Sequence, residues 1–156
     1  MATRSTIALE FADGTVQQVY CHWDGYLSNN GVLLQNYYSD PFKLRDLIDL
    51  GDVSSLKQNI GTQHAFSQFD TEMDADEYDA LYGEMTTFYG RDRGEAGTGA
   101  KKFKDYADYV ENFCHEEYAY ILRRDGLWYV KQYSKDFELL VAAIAKEKVA
   151  EEECAA

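Results

Sequence analysis

Thr6-Ile7-Ala8-Leu9-Glu10-Phe11 alternates apolar and polar residues, the period of an extended strand. Asp13-Gly14 follows at once, a two-residue hairpin signal, and Thr15 to Trp23 supplies the return strand. Val16, Val19 and Tyr20 break strict alternation there, and a bulge near Gln17-Gln18 would restore it. The pattern recurs late in the chain: Glu117 to Arg123, then Asp125-Gly126, then Leu127 to Tyr133. Between the hairpins, Met85-Thr86-Thr87-Phe88-Tyr89 is β-branched and aromatic and reads as a central strand. No β-α-β alternation points to a doubly wound sheet. The fold class is therefore α+β: an antiparallel sheet of about five strands with two Asp-Gly hairpins and helices packed mainly on one face.

About five helices follow from spacing and caps. Asn29 or Asn30 is placed to cap a short helix through Val32, Leu33, Leu34, Tyr37 and Tyr38. Ser39-Asp40-Pro41 starts the next, with Leu44, Leu47 and Ile48 inward and Gly51 at its end. Residues 52–68 read as loop. Tyr78, Leu81, Tyr82 and Met85 fall at helical spacing along and just past the acidic stretch Asp70 to Glu84. Phe103, Tyr106, Val110 and Phe113 mark a fourth helix. Asp136 to about Glu151 forms the last, with Phe137, Leu140, Val141 and Ile144 inward. Residues 1–150 make a single α+β domain, and 151–156 a frayed acidic tail.

Composition narrows the function classes. The 156 residues carry 28 acidic and 15 basic side chains, a formal charge of −13. Such a field repels nucleic acid and anionic membranes and attracts basic protein surfaces. Solubility alone would also account for it. Cys21, Cys114 and Cys154 are an odd number without a C-x-x-C pair, so neither a disulfide framework nor a zinc site is expected. No signal-like leader and no apolar run of membrane-spanning length is read, and the expected location is the cytoplasm. Thirteen tyrosines against eight phenylalanines suit half-wet surfaces and self-association.

Two groups of residues could carry function. In Tyr20-Cys21-His22-Trp23-Asp24-Gly25-Tyr26, His22 and Asp24 would share one strand face as an imidazole–carboxylate pair. With His64, Arg91 and Arg93 they could build a ligand cleft. Trp23 would stack on a base, and the two arginines would take phosphates. Arg91-Asp92-Arg93 is equally a common internal salt-bridge pattern. No nucleophile elbow, phosphate loop or dinucleotide fingerprint is present, so no catalytic residue, metal or cofactor is assigned. The second group is the anionic face Asp70, Glu72, Asp74, Asp76, Glu77, Asp79 and Glu84, a stretch without Lys or Arg. One helix stripe carries charge every ~5 Å, sparser than the ~1.7 Å of duplex DNA, so charge mimicry needs more than one helix.

The segments His22-Trp23-Asp24-Gly25-Tyr26, Leu50-Gly51-Asp52-Val53-Ser54-Ser55-Leu56 and Tyr89-Gly90-Arg91-Asp92-Arg93-Gly94-Glu95 together resemble a family of small uncharacterised phage and prophage proteins. The late hairpin with Trp128-Tyr129 fits the same pattern. The resemblance implies a phage setting and no particular activity. The chain departs from it in the acidic 70–84 segment and the charged tail. The leading expectation is an acidic accessory protein of a phage that binds and inhibits a host or defence protein with a basic surface. The alternative is a protein that binds, sequesters or cleaves a nucleotide or cyclic nucleotide. A third is a homo-oligomeric structural domain.

Overall fold

The computed structural model describes residues 2–113, 116–133 and 135–155. Within these residues eight strands form one mixed sheet: β1 (Ser5–Glu10), β2 (Val16–Cys21), β3 (Val53–Ser55), β4 (Thr87–Phe88), β5 (Lys101–Phe103), β6 (Tyr118–Leu122), β7 (Trp128–Gln132) and β8 (Glu138–Leu139). Among the described residues six α-helices accompany it: α1 (Val32–Tyr37), α2 (Pro41–Asp49), α3 (Ala75–Tyr82), α4 (Tyr89–Arg93), α5 (Tyr106–Asn112) and α6 (Leu140–Ala155). Strand order is β4-β3-β2-β1-β6-β7-β8, and β5 pairs with the first half of β2.

The α+β class is therefore right, but five antiparallel strands is not. At the centre, β1 and β6 run parallel, from Ser5↔Tyr118 to Leu9↔Leu122, and β2 meets β3 in parallel at Cys21↔Val53. The expected central strand is instead β4, two residues at the end of the sheet. The strands missing from the sequence reading, β3, β5 and β8, are two or three residues long. Such lengths carry no period.

Both Asp-Gly turns join adjacent antiparallel strands, but with three-residue loops. Phe11 N–H donates to Thr15 O and Gly14 N–H to Phe11 O; Arg123 N–H donates to Leu127 O and Gly126 N–H to Arg123 O. Gly14 and Gly126 sit at φ 90° and 81°, the left-handed position that closes such a loop and that glycine adopts without a Cβ clash. The β1–β2 register runs unbroken from Ser5↔Cys21 to Glu10↔Val16, so no bulge occurs at Gln17-Gln18. Because β1 and β6 are parallel neighbours, the two turns lie side by side.

Helices cover both faces, so β1 is buried at all six positions rather than on one side. The larger core places Ile7, Leu9, Val19, Tyr120 and Val130 against α1, α2 and the start of α6. On the other face Ala8, Val16, Ala119 and Ile121 pack under an aromatic group of Phe103, Tyr109 and Phe113 from β5, α5 and its end. Phe137, expected inward on the last helix, joins this second group, while Val141 is exposed.

Local signals explain three of the six helix starts. Asp40 accepts from Phe42 N–H at 2.9 Å with Pro41 in the first turn of α2. Asp74 and Asp105 cap α3 and α5 in the same way. Asn30 caps nothing. It is fully buried at the end of a π-helical turn (Leu27–Gly31) and donates to Ser5 Oγ and Cys21 Sγ. Burial pushes the Cys21 thiol up to about 11, which keeps it un-ionised at neutral pH. Helix α6 runs on through Ala155 where a frayed tail was expected, and Cys114 lies outside the described residues.

Candidate functional site

The ligand cleft expected from the sequence is divided between two places. His22 follows β2, its N–H donating to Val53 O, and its Nδ1 lies 2.6 Å from Tyr20 Oη. Trp23 packs edge-on against the imidazole with ring centroids 4.7 Å apart. Asp24 is not the partner of His22. The strand ends at Cys21, and Asp24 takes φ 55°, so alternation stops before it can place the two side chains together. Its carbonyl accepts from Asn30 N–H and Asn29 Nδ2, while its carboxylate is exposed.

His64, Arg91 and Asp92 do converge, at a hub between β4 and the long β3–β4 connection. Asp92 has a fully buried carboxylate that accepts from His64 N–H at 3.1 Å, Phe88 N–H at 2.8 Å and Arg91 Nε at 3.0 Å. Arg91 also donates to Gly61 O, Ile60 O and Thr86 O, and its guanidinium lies over the Phe88 ring. A guanidinium engaged along both edges in this way presents no free fork to a phosphate. The His64 imidazole is likewise spent, Nδ1 at 2.7 Å from Thr62 O and Nε2 at 3.2 Å from Thr87 Oγ1, with Tyr82 stacked on it. Arg93 is exposed and lies over Phe66. No hydrogen bond, ion pair or ring contact joins His22, Trp23 or Asp24 to these residues among the described ones.

The hub anchors a lobe. Residues 59–86 leave and rejoin the body at an isolated bridge, Asn59↔Met85, reinforced by Asn59 N–H to Glu84 O and Thr86 N–H to Asn59 O. Within the lobe α3 buries no residue fully. Tyr78 donates its hydroxyl to Ala65 O at 2.6 Å, and Tyr82 lies on His64; these two tyrosines are the inward side of the helix. Leu81, expected beside them, faces solvent, and Met85 lies beyond the helix end.

Asp70, Glu72, Asp74, Asp76, Glu77, Asp79 and Glu84 are all exposed. None forms an ion pair among the described residues, where the carboxylates that do are Glu10, Asp92 and Glu138. The lobe also exposes Phe69 at 88% and Leu81 at 56%. The exposed side of this segment thus carries carboxylates without ion pairs among the described residues and two exposed apolar side chains.

Sequence reasoning overlooked a second buried carboxylate. Glu10, at the end of β1, accepts from Arg123 Nε at 3.1 Å, Arg123 Nη2 at 3.3 Å and Arg124 N–H at 3.1 Å, so it links the twin turns. Burial pushes the Glu10 carboxyl up, but those hydrogen bonds and the two arginine charges outweigh it and hold the group below its ordinary value. The signal was present in Arg123-Arg124 beside the second Asp-Gly. It becomes readable only once β1 and β6 are known to be neighbours.

Among the described residues no group of three or more His, Cys, Asp or Glu side chains is placed to hold a metal ion, and no helix is long and apolar enough to cross a membrane. No protein-family model, curated protein or solved structure matches the chain.

Proposed function

We propose that this is a binding protein that engages a basic protein surface through its acidic lobe. In its fuller form, the partner is a host or defence protein, and the lobe occupies and inhibits its nucleic-acid-binding face. The observation that carries the reading is the lobe itself: seven of the chain's 28 acidic residues within positions 70–84, none of them in an ion pair among the described residues, on an excursion whose helix buries no residue fully. Charge kept for solubility has no need of this concentration, because like charges so close repel one another. A basic partner would relieve that repulsion and draw the lobe in by long-range attraction. The exposed side chains of Phe69 and Leu81, on the same excursion, would serve as apolar anchors, which the centre of an interface requires. The resemblance to phage proteins is what favours a bacterial target.

The test compares the protein with a variant carrying Asp76→Asn, Glu77→Gln and Asp79→Asn, each immobilised and exposed to bacterial lysate at low and raised salt. The expected outcome is a basic or nucleic-acid-binding protein that the wild type retains, that salt releases, and that the variant fails to hold. Equal retention by the variant, or recovery of no such protein, overturns the reading.

A further inference from the structure

The twin turns and the first turns of α2 enclose a cavity of about 440 Å³, within the roughly 300–1,000 Å³ usual for small-molecule sites. Leu9 and Leu122, register partners on β1 and β6, form its floor, and Phe11, Pro41 and Phe42 its sides. Its charged lining is mainly of the sign opposite to the net charge of the chain. Arg45, Arg123 and Arg124 face it, against the single carboxylate of Glu10, on a protein of net charge −13. Arg123 satisfies Glu10 closely, whereas Arg124 Nε is held only at 3.8 Å and its side chain is 55% exposed. Arg45 is exposed, has no ion pair among the described residues, and lies over the Phe42 ring. The neighbouring carboxylates of Asp13 and Asp125 are turned into their own loops, accepting from Thr15, and from Leu127 and Tyr129, respectively. Two guanidinium groups are thus left at the mouth of an apolar hollow.

We propose that this cavity binds a small amphipathic carboxylate. Its apolar part lies against Leu9, Phe11, Phe42 and Leu122, and its carboxylate bridges Arg45 and Arg124. Guanidinium matches carboxylate geometry with two parallel hydrogen bonds. A single negative charge fits better than two, because Glu10 in the lining repels each added charge. None of the acidic lobe lines the cavity, so the inference is independent of the function proposed above.

The experiment titrates the full chain with decanoate and with 2-naphthoate, which separate an aliphatic from an aromatic ligand, and with decanol as the uncharged control. Binding is read by calorimetry and by amide chemical shifts. One saturable site is expected for at least one carboxylate, with shifts at Ala12, Arg45 and Gly126. Decanol is expected to bind about tenfold more weakly, since it lacks the charge-assisted hydrogen bonds. Arg45→Gln, at an exposed helix position, should weaken the carboxylate about tenfold and leave decanol unchanged; Arg124→Gln is the second variant of the same kind. Phe42→Ala should weaken both ligands. Absence of saturable binding by either carboxylate, shifts mapping elsewhere, or equal affinity for decanol and for both Arg variants overturns the proposal.

Discussion

Asp92 and Glu10 are both buried carboxylates held by arginine, yet they hold different amounts of structure. Around Glu10 the parts are already joined, because β1 and β6 pair from Ser5↔Tyr118 to Leu9↔Leu122 and each turn closes its own loop. The Glu10–Arg123 pair refines an arrangement that strand pairing and apolar packing determine. Around Asp92 the opposite holds. The lobe 59–86 has one isolated bridge and a helix that buries no residue fully, and Asp92 alone receives the backbone N–H groups of His64 and Phe88 together with Arg91. The worth of a buried ion pair depends on what else holds the segments it joins.

Asp92→Ala gives the largest effect. It leaves Arg91 and two backbone donors without their acceptor, and breaking a buried pair in this way costs about 3–5 kcal/mol. Chemical denaturation should show that loss, and hydrogen exchange should show protection disappearing first across 59–86. A loss under about 1 kcal/mol, or one spread evenly over the sheet, would remove the contrast between the two carboxylates.

Glu10→Gln is expected to cost less, about 1–3 kcal/mol, as for a hydrogen bond to a charged group in a site that keeps its other contacts. It also carries a pH signature. The folded Glu10 carboxyl lies below its ordinary value of 4.5, so its contribution is fully present above that pH and is lost as the pH falls through the lower folded value. Stability measured from pH 6 down to pH 3 should fall less steeply in Glu10→Gln than in the wild type. Parallel curves would mean that Glu10 is not a source of acid lability.

The same contrast explains what could be read from the sequence. Both hairpins are local, and an Asp-Gly between two extended runs encodes each of them within some fifteen residues. The parallel pairing of β1 with β6 joins residues more than a hundred positions apart, and nothing in either strand announces it. Thr6 and Glu10, the polar members of the alternation, are buried as well, because the second face of the sheet is covered too. The acidic helix was legible from its spacing, whereas its Asp74 cap emerged only with the structure. The pairing of His22 with Asp24 was not obtained, because the left-handed backbone at Asp24 ends the alternation that the inference required. Arg91-Asp92-Arg93 admitted two readings, an anion clamp and an internal ion pair. The carbonyls of Ile60, Gly61 and Thr86, which decide between them for Arg91, come from chain that reads as loop or strand and carries no side-chain signal.

Within the lobe the next effect is smaller. Tyr78→Phe keeps the ring and removes one hydroxyl donor to Ala65 O, a loss of about 0.5–1.5 kcal/mol. If the lobe opens as a separate unit, exchange in 75–82 should accelerate while the β1–β6 amides stay unchanged. Acceleration of both together would mean that lobe and sheet form one cooperative unit.

The smallest effect on stability sharpens the comparison most. Asp79→Asn changes a carboxylate that has no cation partner and lies on an exposed helix position, so the folding free energy should move by no more than about 0.5 kcal/mol. The sign is expected to be slightly stabilising, since one member of a crowded set of like charges is removed and no hydrogen bond of the α3 cap, which Asp74 provides, is touched. Asp92→Ala and Asp79→Asn thus remove one carboxylate each, from the anchor of the lobe and from its outer face, with outcomes several kcal/mol apart. If Asp79→Asn were destabilising by more than 1 kcal/mol, the outer carboxylates would be part of the lobe's own architecture. A near-zero or favourable change leaves them without a role in folding, which is the condition a surface kept for a partner must meet.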